Sequence, residues 1–173
     1  MTRKEFIEIL SGRGYSYKIE GDKLVVTHGG YIDFDDLESI PPGLEFRNRG
    51  YIKLEGCHTI PPDTVFSNKG SVSLNSLKIL PPTVEFKNAH AVRLDSLKSI
   101  PQGFVFRNDG DVSLWALKSI PTEVRFSYSD DYTGSVNLHS LMRDGWYFKW
   151  EGNIEGIGSN RLLNHMINKG MFI

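Results

Sequence analysis

The side chains able to do chemistry in this 173-residue chain are few, and their spacing fits none of the common reactions. Five histidines, His28, His58, His90, His139 and His165, are scattered, and there is no H-E-x-x-H, no paired C-x-x-C, no phosphate-cradling glycine loop and no G-x-S-x-G. The lone cysteine, Cys57, has no partner for an internal disulfide and stands where its equivalents are leucine, so it reads as a small buried hydrophobe. Glu55 and Asp95 come nearest to an acid pair. They are two repeats apart on one column, about 10 Å at the spacing of stacked strands, which is wide for shared acid–base work. Asp130 and Asp131 adjoin, but calcium loops need five or more well-placed oxygens, and no EF-hand spacing is present. These residues imply no metal, no cofactor and no catalytic group. A β-solenoid enzyme with a site on stacked coils is kept as an alternative.

Binding is the chemistry the remaining polar residues could do. A twenty-residue unit recurs from residue 37 to 126, so residues twenty apart share a column. Counting columns from Leu37, the eleventh and thirteenth hold Arg47, Arg49, Lys69, Lys87 and Arg107 against one acid, Asp109. Such a basic edge could track a polyanion, although a net charge of −1 is not that of a typical nucleic-acid binder. A second surface is the outward side of the strand leading into the proline bend, with Tyr51, Lys53, Arg93, Trp115 and His139. Trp115 breaks a polar column of Asp35, Glu55, Asn75, Asp95 and His139, and an aromatic there implies either a partner or packing against the end of the array. A third candidate is the insertion at residues 128–133, which brings Tyr128, Asp130, Asp131 and Tyr132 to the surface beside an otherwise regular array.

The elements that position these residues follow from the repeat. Each unit has six apolar positions, among them the column Phe46, Phe66, Phe86, Phe106, Phe126 and the column Ile40, Ile60, Leu80, Ile100, Ile120, each of the latter followed by proline. Two short alternating runs per unit, rich in Val, Phe and Leu, are strand signals, and two turns in twenty residues leave no room for a two-turn helix. A single coil cannot bury its apolar side chains. Stacked coils can, because each column then meets its own kind about 4.8 Å above and below. Proline removes a backbone donor and marks one bend. Asn48, Asn68 and Asn108, each two residues before a glycine, mark the other, with His90 replacing the glycine after Asn88. Glycine there would permit φ > 0, and a stacked asparagine column could satisfy turning carbonyls and amides.

At the start, Thr2 and Glu5 form a capping box for a short helix with Phe6, Ile7, Ile9 and Leu10 as its apolar stripe and Gly12 as its stop. A hairpin turning at Gly21-Asp22 follows, and residues 21–36 already fall on the repeat columns, so residues 1–36 read as a cap with a degenerate first coil. Residues 37–140 carry the repeats, with Val136, Leu138 and Leu141 regaining the columns after four extra residues. Residues 141–173 read as the other cap: a strand alternating Trp146, Phe148 and Trp150, then a helix from Ser159 to Gly170 with Leu162, Leu163, Met166 and Ile167. The expected architecture is one domain, mainly β, a parallel β-solenoid of about six coils with short helices in both caps. The first residues contain acids and no long hydrophobic run, so neither a signal peptide nor a membrane span is expected, and the cytoplasm is.

The run V-x-L-x-x-L-x-x-I-P, with its leucine and isoleucine columns, asparagine column, phenylalanine spine and proline turn, resembles the short leucine-rich repeats of bacterial effector proteins and of bacteriophage proteins, over residues 24–141. It departs from the usual motif in that Leu97 and its equivalents stand near the usual asparagine position, while asparagine falls in the other bend; a flattened solenoid is expected in place of a curved horseshoe. The resemblance implies binding to protein surfaces. A protein partner is therefore expected first, as for an accessory protein that masks or inhibits a host protein, with nucleic acid the alternative and no membrane partner.

Overall fold

The structure, a computed structural model, describes residues 1–118, 121, 124–126, 135–137 and 147–149. It opens with helix α1 (Arg3–Gly12), where Thr2 and Glu5 close a reciprocal capping box, and continues into β1 (Tyr17–Glu20). Six coils then contribute two strands each among the described residues: β2 (Lys23–Val26) and β3 (Ile32–Asp33), β4 (Leu44–Phe46) and β5 (Ile52–Lys53), β6 (Val65–Phe66) and β7 (Val72–Ser73), β8 (Glu85–Phe86) and β9 (Val92–Arg93), β10 (Val105–Phe106) and β11 (Val112–Ser113), β12 (Arg125–Phe126) and β13 (Ser135–Asn137). A last strand, β14 (Tyr147–Lys149), follows. The first strand of every coil joins one parallel sheet and the second strand joins another. The chain is thus a mainly β parallel solenoid, as the repeat implies.

Register follows the columns. Phe46, Phe66, Phe86, Phe106 and Phe126 pair in succession in sheet one, and Ile32, Ile52, Val72, Val92, Val112 and Val136 do so in sheet two. The Val112–Val136 pairing absorbs the four extra residues without a slip of face. The phenylalanine rings stack nearly parallel, with centroids 5.2, 5.2, 5.8 and 5.0 Å apart from Phe46 to Phe126, and each is fully or almost fully buried. The spine supplies both area and shape, because each large aromatic buries much apolar surface and fixes its neighbour's ring plane.

The two bends use glycine differently from the sequence expectation. Gly50, Gly70 and Gly110 at the asparagine bend do not have positive φ. Their requirement is closeness: a Cβ on Gly70 would sit 2.4 Å from the Gly50 carbonyl carbon and oxygen, and one on Gly50 would sit 2.4 Å from the Gly30 oxygen. The left-handed residues lie instead in the proline bend, at Gly43 (φ 71°), Asp63 (φ 61°) and Gly103 (φ 70°). The asparagine ladder serves carbonyls only. Asn48 Nδ2 donates to the oxygens of Gly50 and Gly30 at 2.8 and 3.4 Å, and Asn68 Nδ2 to those of Gly70 and Gly50 at 2.7 and 3.3 Å, while the Oδ1 atoms of Asn48, Asn68, Asn88 and Asn108 are buried without a hydrogen-bond partner. The expected service to backbone amides is absent.

At the N-terminal end α1 lays Phe6 and Leu10 on the core, and Phe6 packs 5.1 Å from Phe34. The helix runs through Gly12 to a C-cap at Arg13, and Gly14 (φ 68°) makes the turn that Gly12 was expected to make. β1 closes sheet one by antiparallel pairing with β2. The open edge of sheet two at this end receives side chains: the Asp33 amide of β3 donates to Tyr15 Oη at 3.1 Å, and Arg13 Nη1 donates to the Asp33 carbonyl at 2.7 Å. At the other end β14 pairs antiparallel with β13, Phe148 opposite Val136. Trp146, Trp150 and the helix expected after Ser159 lie outside the described residues. No helix among the described residues is long and apolar enough to cross a membrane.

Two substitutions test this architecture. Phe86→Ala should destabilise by about 3–5 kcal/mol in denaturant unfolding, whereas Arg93→Ala, on an exposed outward position, should be within about 0.5 kcal/mol of the parent. Gly70→Ala should cost about 1–3 kcal/mol although its φ suits alanine, because the added methyl has to push two coils apart. A neutral Gly70→Ala would show that the bends are not in contact.

Candidate functional site

Alternate residues of a strand share a face, so the outward side of sheet two carries three side chains per coil. Coil one presents Tyr31, Asp33 and Asp35, coil two Tyr51, Lys53 and Glu55, and coil four Ala91, Arg93 and Asp95. A diagonal rule links neighbouring coils: the middle residue of one coil donates to the last residue of the coil before. Lys53 pairs with Asp35, Ser73 Oγ donates 2.8 Å to Glu55 Oε1, and Ser113 Oγ donates to Asp95 Oδ1. The acids Glu55 and Asp95 therefore stand in separate hydrogen-bonded pairs. Nothing joins them as an acid–base couple.

The diagonal fails where its acid is missing. Beneath Arg93 the acid column holds Asn75, whose Nδ2 lies 3.4 Å from Glu55 Oε1 and whose Oδ1 is buried without a partner. Arg93 is exposed and forms no ion pair among the described residues. Beneath Asn137 the column holds Trp115, which is 45% exposed. Between these two breaks lies a recess of about 320 Å³, walled by Arg93, Asp95, Asp111, Ser113, Trp115 and Asn137.

Of the residues expected on this face, the structure brings Arg93 and Trp115 together around one recess. Tyr51 and Lys53 stand on the same face in coil two, where Tyr51 stacks on Tyr31 at 5.7 Å and Lys53 is held by Asp35, with Glu55 at 3.9 Å. His139, Tyr128, Asp130, Asp131 and Tyr132 lie outside the described residues. Asp111 and Ser113 were missed as site residues. They sit one coil above Ala91 and Arg93, so reading columns as neighbours would have found them.

The basic edge is partly neutralised. Arg47 pairs with Glu45 and with Glu20, 2.6 Å away, and Lys87 pairs with Glu85. Glu45 is only 6% exposed, and its hydrogen bonds from Arg47 hold its carboxyl below the usual range against the opposing effect of burial. Arg49, Lys69 and Arg107 are exposed. Cys57 is fully buried, with its Sγ 3.1 Å from the Leu37 carbonyl, and burial pushes its thiol up to about 12. It is no nucleophile.

Comparison of the chain with protein-family models, curated proteins and solved structures finds no match.

The Cys57 environment makes an alkaline prediction. A thiol whose folded value is raised stays protonated while the unfolded chain ionises from about 9.0, so folding stability should fall above that pH, by up to about 1.4 kcal/mol per unit. Comparing Cys57→Ala with the parent in unfolding titrations from pH 8 to 11 should isolate this slope, which the variant lacks. Thiol reagents should label the parent only on unfolding. For Glu45 the sign reverses: its lowered value gives stability that is present above the ordinary 4.5 and lost as pH falls through the folded value, and Glu45→Gln should remove that acid dependence.

Proposed function

We propose that this chain is a non-catalytic binding module whose partner is a protein, docked on the outward face of sheet two with the Arg93–Trp115 recess at its centre. The observation that carries this reading is the double break in the diagonal pairing, which leaves an exposed arginine and an exposed tryptophan around one recess. Arginine and tryptophan are the side chains that most often anchor protein interfaces, above all where a partner can fill the space between them. The support is rigid, because β9 and β11 beneath the recess are each paired with a strand on both sides, so little order has to be imposed on binding. Tyr31 and Tyr51 extend the same face with a stacked aromatic pair and form its far end.

The resemblance to short leucine-rich repeats adds a setting: an accessory protein of a bacterium or its phage, acting in the cytoplasm by masking or inhibiting a host protein. Polyanion binding through Arg47, Arg49, Lys69, Lys87 and Arg107 is the weaker reading, since Arg47 and Lys87 already hold acids.

The test is capture of a partner by the purified chain from a cell extract, repeated with Trp115→Ala and Arg93→Ala. Each variant should lose about 2 kcal/mol or more of binding to the captured protein while melting within about 2 °C of the parent. Capture that both variants retain in full would exclude this face, and nuclease-sensitive capture would favour the polyanion reading.

A further inference from the structure

The second column of the repeat, just before the proline bend, reads Glu38, His58, Lys78, Lys98 and Lys118 down the solenoid. The backbone places these residues in register from coil to coil, the amide of Lys78 bonding the His58 carbonyl at 3.1 Å and that of Lys118 the Lys98 carbonyl at 3.3 Å. Lys78, Lys98 and Lys118 are all exposed, and none forms an ion pair among the described residues. Residues 76–84, 96–104 and 116–118 contain these three lysines and no acid. The contrast with the asparagine-bend edge is chemical: there Arg47 and Lys87 have glutamates two residues away on the same face, and here the lysines have none.

Like charges directly opposite on adjacent strands repel and destabilise a sheet. A threefold lysine ladder is therefore not something the fold requires, and serines occupy the adjoining column at Ser39 and Ser99 without difficulty. Beside the ladder, that adjoining column carries Ile79, which is 68% exposed, and Trp115 lies three residues before Lys118 at 45% exposure. We infer that the lysine ladder binds an acidic segment of a protein partner, laid along the stacking axis, with carboxylates on Lys78, Lys98 and Lys118 and apolar side chains against Ile79 and Trp115. An exposed isoleucine amid the cations favours a peptide over a nucleic acid, whose bases would call for aromatic platforms along the strip. The inference rests on the proposed protein-binding function and extends its surface from sheet two around the proline bend.

The experiment measures fluorescence anisotropy of a short labelled peptide of glutamates interrupted by leucines, and separately of single-stranded oligothymidylate, with the full chain. The peptide should bind, weaken steeply as salt rises from about 0.05 to about 0.5 M, and lose about tenfold or more in affinity with Lys78, Lys98 and Lys118 all changed to serine. Ile79→Ser should weaken the peptide alone. The triple variant should melt no earlier than the parent, because it relieves repulsion, so lost binding cannot be charged to unfolding. No binding of the peptide, equal or tighter binding of oligothymidylate, or loss of the peptide on changing Arg49, Lys69 and Arg107 instead would each overturn the inference. If the peptide fails while an extract protein is still captured through Trp115, the lysine ladder falls and the sheet-two site stands.

Discussion

In-register stacking is the constraint on which the rest of the molecule depends. Each residue meets its own column above and below at strand spacing, so any feature that suits one coil has to suit its copies. The phenylalanine spine satisfies this by parallel ring stacking, and the bends satisfy it by having no side chain where two backbones nearly touch. Burial of the spine drives the coils together, and the glycines at positions 50, 70 and 110 set how closely they can come. The same rule makes polar columns consequential, since a charge repeated at the coil spacing meets either its complement or itself.

That rule also explains which parts of the fold could be read from the sequence. Apolar columns are local in pattern and unambiguous in register, so the two sheets, the degenerate first coil and the realignment at Val136 after the insertion were all legible. The glycines were recognised as bend residues for the wrong reason. Dihedral freedom is the usual cause of a turn glycine, whereas at Gly70 the cause is the neighbouring coil, which only the assembled structure supplies. The left-handed position in the proline bend went unread because it is filled variously by Gly43, Asp63 and Gly103 and so does not look like a column.

The surface was less legible, because pairing there runs across columns. Arg47 and Lys87 looked like a free basic edge when their own columns were counted, but the residues two before them, Glu45 and Glu85, project from the same face and take up the charge. Trp115 stood out as an exception within its column. The recess beside it is walled by residues of three successive coils, among them Arg93, Ser113 and Asn137, none of which is unusual alone.

The side chains that close β3 have a consequence for assembly. A parallel stack of near-identical coils is a one-dimensional crystal, and its end coil offers the same backbone template to a foreign strand as it does to its own next coil. Here the terminal lattice face of sheet two is capped by a phenol and a guanidinium: the Asp33 amide is bonded by Tyr15 and the Asp33 carbonyl by Arg13. With α1 laid over the apolar end and β1 running against the grain of sheet one, a further coil would find neither a bare apolar face nor a parallel strand of sheet one to copy at this end.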